Sequence, residues 1–347
     1  MSQTVDGVLK DWGDRIYPRP VVRRRGRNVM GGPALPRPEA RKPVTPATAR
    51  KILSITAGRA PEVLVKISGG GRNIRRVKAH LDYISRNGKV ELEDENGMIY
   101  NGAKDVREVR DAWRDGPFGI AADSEERREA FNIILSMPPG TNRAAVKNAA
   151  RRFAAERFSD HQYVFAAHED EKHPHVHLCV KAVDKSGERL NPRKADLQHW
   201  RAHFASRLRD EGIAANATPR RMRGIVRKAE SQAVRWMDKE HAGGRRAAPS
   251  RATQARKEAV KREQEGRGAQ TNPAATAIAK ARQDAVRAYG QLARALARSG
   301  DADDKRLALS IVGFVKAMPP LQTRHQAELE RLRRGGGKQP PGRENER

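Results

Sequence analysis

The chain has 347 residues, room for one or two domains, and carries 70 Lys plus Arg against 42 Asp plus Glu, a formal charge of +28. That excess calls for a polyanionic partner, most commonly nucleic acid, while the lack of any apolar run near the ~20 residues of a membrane span or of a signal-peptide core argues against a membrane-embedded or exported protein. The single cysteine, Cys179, excludes a disulfide framework, fits a reducing compartment and reads as a small core hydrophobe.

Residues 1–60 are basic and rich in proline, with Arg23-Arg24-Arg25 at their centre. They are expected to form a mostly disordered arm with room for short helices. Val63-Leu64-Val65-Lys66-Ile67 reads as the first strand, ended by Gly69-Gly70-Gly71. No Gly-Lys-Ser/Thr follows, so this is not a P-loop; the glycines are expected to let backbone approach closely, with a DNA phosphate as the candidate neighbour. A helix follows from about Asn73, its buried stripe formed by Ile74, Val77, Leu81 and Ile84. Tyr83 lies roughly 140° from the centre of that stripe and is expected to project from the helix.

Val90–Glu93 and Met98–Tyr100 read as a hairpin turning at Asn96-Gly97, and Arg107–Trp113 as a helix. Phe131–Met137 is a strand closed by Pro138-Pro139-Gly140-Thr141, after which Thr141 or Asn142 caps a helix over 143–158. Gln162–His168 and His175–Val183 alternate with period two and flank a charged connection, which makes them a β-hairpin. Asn191-Pro192 opens a helix carrying Leu197, Trp200, Phe204 and Leu208.

Past about 215 the strand signals stop. Arg220–Lys228 is densely basic, Gly243–Asn272 resembles linker and solvated helix, and three helical stretches run to about 334 before a basic tail. The expected organisation is an arm (1–60), a catalytic domain (61–215), a basic helical extension and linker (216–272), C-terminal helices (273–334) and a disordered tail (335–347). The expected fold of the central domain is α+β: a mainly antiparallel sheet with the histidine hairpin at its centre and helices 73–86, 143–158 and 193–211 packed on it as a second layer.

That hairpin carries the chemistry. His168-Glu169-Asp170-Glu171-Lys172-His173-Pro174-His175-Val176-His177 holds four of the chain's ten histidines. A lone histidine on a strand is ordinarily a satisfied polar residue. His175 and His177, two apart, leave the strand on one face, and the hairpin brings His168 beside them. Three imidazoles converging with coordination positions left open make a catalytic metal site in place of a closed structural one. Asp170 is the candidate acceptor that orients one imidazole; His173 is expected to face substrate or solvent. Three imidazoles suit Zn, Mn or Ni by ligand softness.

Three segments, in order, resemble the conjugative relaxases, or mobilisation nucleases, in the branch that includes the T-DNA border nuclease. They are Leu81-Asp82-Tyr83-Ile84-Ser85-Arg86-Asn87-Gly88-Lys89, then Ser136-Met137-Pro138-Pro139-Gly140-Thr141, then the His168–His177 stretch. The likeness covers roughly 61–230, and the third motif is the most specific. It implies an HUH-type palm fold, Tyr83 as nucleophile, Ser136 near the 3′ side of the nick, and His168, His175 and His177 holding a divalent ion, Mg or Mn. It implies nicking of one strand at an origin of transfer, a 5′-phosphotyrosine adduct and rejoining. The implied partners are single-stranded DNA, accessory relaxosome proteins and a secretion coupling protein, in a bacterial cytoplasm with passage to a recipient cell. The resemblance departs in the long arm before the first strand.

Beside Tyr83, Arg86 and Lys89 are candidate phosphate contacts, with Arg220, Arg221 and Arg223 further out. A rolling-circle replication initiator shares the histidine and tyrosine chemistry, but there the tyrosine follows the histidines; here Tyr83 precedes them. A non-enzymatic basic DNA-binding accessory protein is the other alternative.

Overall fold

A computed structural model describes residues 4–16, 45–123, 126–225, 230–268 and 273–333. The chain forms two compact units, one within residues 13–218, the other joining the segment up to Trp12 to the chain from Pro219 onward.

The first unit is built on a six-stranded antiparallel sheet. Its elements, in order, are α2 (Pro46–Ala57), β1 (Leu64–Gly69), α3 (Ile74–Ile84), β2 (Leu92–Asp94), β3 (Ile99–Tyr100), α4 (Ala103–Asp115), β4 (Ala130–Ser136), α5 (Arg143–Arg157), β5 (His161–His168), β6 (His175–Asp184) and α6 (Lys194–Asp210). The strand order is β1-β4-β6-β5-β2-β3. The β5–β6 hairpin is therefore interior, as the apolar residues on both of its faces require.

Those two apolar faces are covered separately. On one, α5 and α6 bring Phe153, Phe158, Trp200, Phe204 and Leu208 onto Ile133, Leu135, Phe165, Val176, Leu178 and Val180. On the other, the stripe Ile74, Val77, Leu81 and Ile84 of α3 meets Val106 and Trp113 of α4 over Val164, Ala166 and Cys179. Helices thus sandwich the sheet, where a single helical layer was expected. The reason is visible in β5 and β6: Val164, Ala166 and Cys179, which alternate with the other core set, are themselves apolar and need their own cover.

Local sequence sets the element ends. The Asn73 side chain accepts from the Arg76 amide and the Asn142 side chain from the Ala145 amide, starting α3 and α5. Gly70 and Gly71 do permit a close approach, but to the chain itself. A Cβ on Gly70 would lie 2.3 Å from the Ala130 carbonyl oxygen, and one on Gly71 would lie 2.6 Å from Val77. The glycine run thus packs against β4 and the first turn of α3.

The stretch read as an arm contains two helices, and they join different units. In α2, Ala49, Ile52 and Leu53 are buried and Thr56 bonds Thr218 Oγ1 at 2.8 Å. In α1 (Val5–Ile16), Trp12 packs on Tyr289 with ring centroids 6.3 Å apart. The Arg23-Arg24-Arg25 run lies outside the described residues.

The second unit is helical: α7 (Gln232–Ala242), α8 (Arg251–Gln264), α9 (Ala275–Ala297), α10 (Ala302–Lys316) and α11 (Arg324–Arg333). Antiparallel α9 and α10 bury Tyr289, Leu292 and Leu296 with Ile311 and Phe314. The expected basic tail (335–347) lies outside the described residues. No described helix is long and apolar enough to cross a membrane.

Candidate metal and nucleophile site

Antiparallel register assembles the three histidines. His168 pairs with His175 across β5–β6, and His177 pairs with Ala166, so all three side chains leave one face of adjacent strands. One donor nitrogen from each lies within 4.8 Å of the other two. Ring centroids are 5.2 Å apart for His168–His175, 4.5 Å for His168–His177 and 5.1 Å for His175–His177. Nitrogens around one ion at ~2.1 Å stand about 3 to 4 Å apart, so a small contraction suffices.

Hydrogen bonds assign the lone pairs. A carbonyl only accepts, so His168 Nε2 donates to Ile84 O at 2.7 Å and keeps its lone pair on Nδ1. By the same logic His175 Nδ1 donates to His173 O at 2.9 Å and keeps its lone pair on Nε2. His177 Nδ1 is buried with no hydrogen-bond partner. Burial, then the neighbouring histidines and Arg86, push His177 down to about 3; burial also lowers His168. Both imidazoles are held neutral, the form a metal takes.

Tyr83 faces the triad from the last turn of α3. It is 52% exposed, and its ring centroid lies 5.6 Å from His177 and 6.4 Å from His168. The off-stripe position read from helical spacing is the one observed. Of the other described tyrosines, Tyr163 and Tyr289 are buried, and Tyr100 donates to Asp94 Oδ2 at 3.1 Å.

After α3 the chain turns sharply. Arg86, Asn87 and Gly88 take φ of 52°, 57° and 86°. Gly88 is required there, since a Cβ would lie 2.3 Å from the Ala103 amide nitrogen. The turn folds Arg86 back over Tyr83, its guanidinium carbon 5.1 Å from the ring centroid. Arg86 Nη2 donates to Asp170 Oδ2 at 2.6 Å and lies 3.3 Å from His168 Nδ1. Asp170 thus reaches the imidazoles through Arg86, where direct contact was expected.

Ser136 pairs with His175 across β4–β6. Its hydroxyl donates to Pro174 O at 3.1 Å, tethering the loop that leads into His175. Lys89 is exposed. Arg220, Arg221 and Arg223 lie in the second unit, on a turn of Pro219–Gly224 latched by Arg282 Nη1 to Gly224 O at 2.9 Å; Arg221 is the exposed one.

Two residues escaped sequence reading. Arg143, at the first position of α5, donates to His168 O at 3.1 Å and to Glu171 O, pinning the histidine loop. His80 precedes Tyr83 by one helical turn, its ring 6.1 Å from Tyr83 and 6.4 Å from His177. Burial lowers it to about 4, and its Nε2 is buried without a partner. The signal for His80 was its i, i+3 spacing to Tyr83.

Residues 83–213, which run from Tyr83 through the triad to the end of α6, match the family described as "Relaxase: MobA/VirD2-like, nuclease domain". Over these residues the chain is similar to the MobA/VirD2-like relaxases. The chain is also similar to curated relatives. The T-DNA border endonuclease VirD2 of Agrobacterium fabrum (strain C58 / ATCC 33970) is 28% identical over 201 residues, 52% of this chain and 45% of that protein. Its namesake from Rhizobium rhizogenes is 29% identical over 186 residues, 48% of this chain and 43% of that protein. The chain spans less than half the length of these relatives.

Proposed function

We propose that the relaxase domain nicks one DNA strand at an origin of transfer by direct attack of the Tyr83 hydroxyl on the scissile phosphate. The Tyr83 Oη–P bond forms as the P–O3′ bond breaks, the phenol gives up its proton, and the leaving oxygen takes one to become a 3′-OH. The phosphotyrosine ester retains the energy of the phosphodiester, so the same 3′-OH can attack it and rejoin the strand.

The observation that carries this reading is the exposed Tyr83 ring set 5.6 Å from His177, beside three convergent imidazoles. His168 Nδ1, His175 Nε2 and one ring nitrogen of His177 would hold a divalent ion, Mg or Mn by family and Zn or Ni by donor type. Such an ion supplies charge stabilisation at the phosphate. Coordination through His168 Nδ1 requires the Arg86 guanidinium to leave that lone pair, and Arg86 then becomes available to the phosphate with Lys89. Ser136 acts through the Pro174 loop that aims His175. Arg220, Arg221 and Arg223 add sequence-independent phosphate contacts.

The relatives named as T-DNA border endonucleases favour DNA transfer as the setting. Relaxosome proteins, a secretion coupling protein, a cytoplasmic site of action and passage with the DNA follow from that setting. The test is incubation with labelled single-stranded origin DNA and Mg²⁺ or Mn²⁺, then denaturing electrophoresis. The expected result is a covalent protein–DNA band, abolished by chelation and by Tyr83→Phe, with the DNA mapped to Tyr83. Cleavage without an adduct, or an adduct on Tyr100 or Tyr163, overturns the proposal.

A further inference from the structure

Each imidazole that binds a metal through one nitrogen presents the other to its surroundings, and that second nitrogen ordinarily donates to a fixed acceptor which sets the ring's orientation. His168 has the Ile84 carbonyl and His175 the His173 carbonyl in this role. His177 has nothing on its buried Nδ1. The neighbouring ring at its edge is His80, inclined at 66°, and His80 carries a buried, unpartnered Nε2 of its own.

We infer that His80 is the positioning residue for His177: the His177 Nδ1–H donates to His80 Nε2, which leaves the His177 Nε2 lone pair for the metal. The inference rests on the metal-triad reading above. One bond satisfies two otherwise orphaned buried nitrogens. Its direction is fixed, because a donation from His80 to His177 Nδ1 would put the His177 proton on Nε2 and remove that nitrogen as a ligand. The centroids stand 6.4 Å apart, against about 5 to 5.5 Å for a direct ring-to-ring N–H···N bond, so closure of about 1 Å is needed, of the kind that catalytic hydrogen bonds undergo when a site is loaded. His80 also lies against Tyr83. The same ring that aims a metal ligand therefore touches the nucleophile, three residues along its own helix.

The test is Mn²⁺ titration calorimetry on the full chain: wild type, His175→Ala, His80→Phe and His80→Gln, with thermal unfolding in chelator to verify that each is folded. His80→Phe keeps a ring and loses the acceptor; it should weaken Mn²⁺ binding by about 10- to 100-fold, the usual loss for such outer partners. His80→Gln restores an acceptor oxygen and should recover most of that loss. Equal binding by His80→Phe and wild type, or equal loss in both variants, overturns the inference. Mn²⁺ binding that survives His175→Ala undamaged would instead sink the triad reading. A second measurement needs no variant: long-range ¹H–¹⁵N spectra of the Mg²⁺-loaded wild type should place the His177 proton on Nδ1. A proton on Nε2 overturns the inference outright.

Discussion

Replacing Arg86 by alanine should move two properties in opposite directions. The guanidinium makes three contacts: Asp170 at 2.6 Å, His168 Nδ1 at 3.3 Å and the Tyr83 ring at 5.1 Å. The Asp170 pair is a third to a half exposed, so solvent screens most of its worth. The long bond to His168 adds about 0.5–1 kcal/mol and the ring contact about 0.5–1 kcal/mol. One group makes all three, so the terms do not simply add; the net loss is about 1–2 kcal/mol, or roughly 2–8 °C in Tm for a unit of this size. Metal affinity should rise, because Arg86 and the ion compete for one lone pair on His168. Releasing about 0.5–1 kcal/mol corresponds to about 2- to 5-fold tighter binding. Nicking at saturating metal should fall by about 10- to 150-fold, the value of a charged hydrogen bond to phosphate. Calorimetric Mn²⁺ titration and a single-turnover nicking assay on the same preparation read both quantities. Metal binding that is unchanged or weaker would refute the competition for His168.

Tyr83→Phe removes an oxygen from a half-exposed ring and should shift unfolding by less than about 0.5 kcal/mol, checked by thermal melts beside the adduct assay. Gly88→Ala should destabilise the domain by more than about 1 kcal/mol, because its φ of 86° and its contact with Ala103 exclude a Cβ; an unaltered melt would show that the turn gives way. Joint replacement of Arg220, Arg221 and Arg223 by Gln should weaken single-stranded DNA binding across all sequences. The salt slope should fall by up to about 2 in log–log units, and unchanged affinity at low salt would assign the turn to another partner. Finally, His80, His161, His168, His177 and His203 all titrate below their ordinary value, burial being the first cause in each. The unfolded chain therefore binds more protons than the folded one below about pH 6.5, so stability is lost as the pH falls. In chelator, Tm should drop between pH 7.5 and 5.5, above the carboxylate range; a flat or rising Tm would contradict the burial of these rings.

The histidine cluster was legible because strand period and hairpin register are local rules: His175 and His177 share a face by counting, and His168 joins them by folding the strand back. Tyr83 was legible for the same kind of reason, as an aromatic thrown off the apolar stripe of its helix. The indirect link from Asp170 to the imidazoles was not, because it depends on Arg86 adopting a positive φ, and arginine carries no signal for that conformation. The second helical layer was missed because Val164, Ala166 and Cys179 look like ordinary strand filler until something must cover them. Gly70 and Gly71 were correctly read as close-approach residues, but composition names no neighbour; Gly70 meets β4 and Gly71 meets α3.

The placement of Tyr83 has a mechanical consequence. Under the proposed chemistry, DNA joined to Tyr83 would make that side chain a tow point, and a pull on the strand would load the C-terminal end of α3 directly. The helix is anchored along its inner face by Ile74, Val77, Leu81 and Ile84, every one of them buried, so tension spreads into the sheet instead of peeling a loose loop. Resistance to forced unfolding is set by the unfolding rate and not by equilibrium stability. A protein hauled by its substrate would hold together by the slowness with which that stripe lets go.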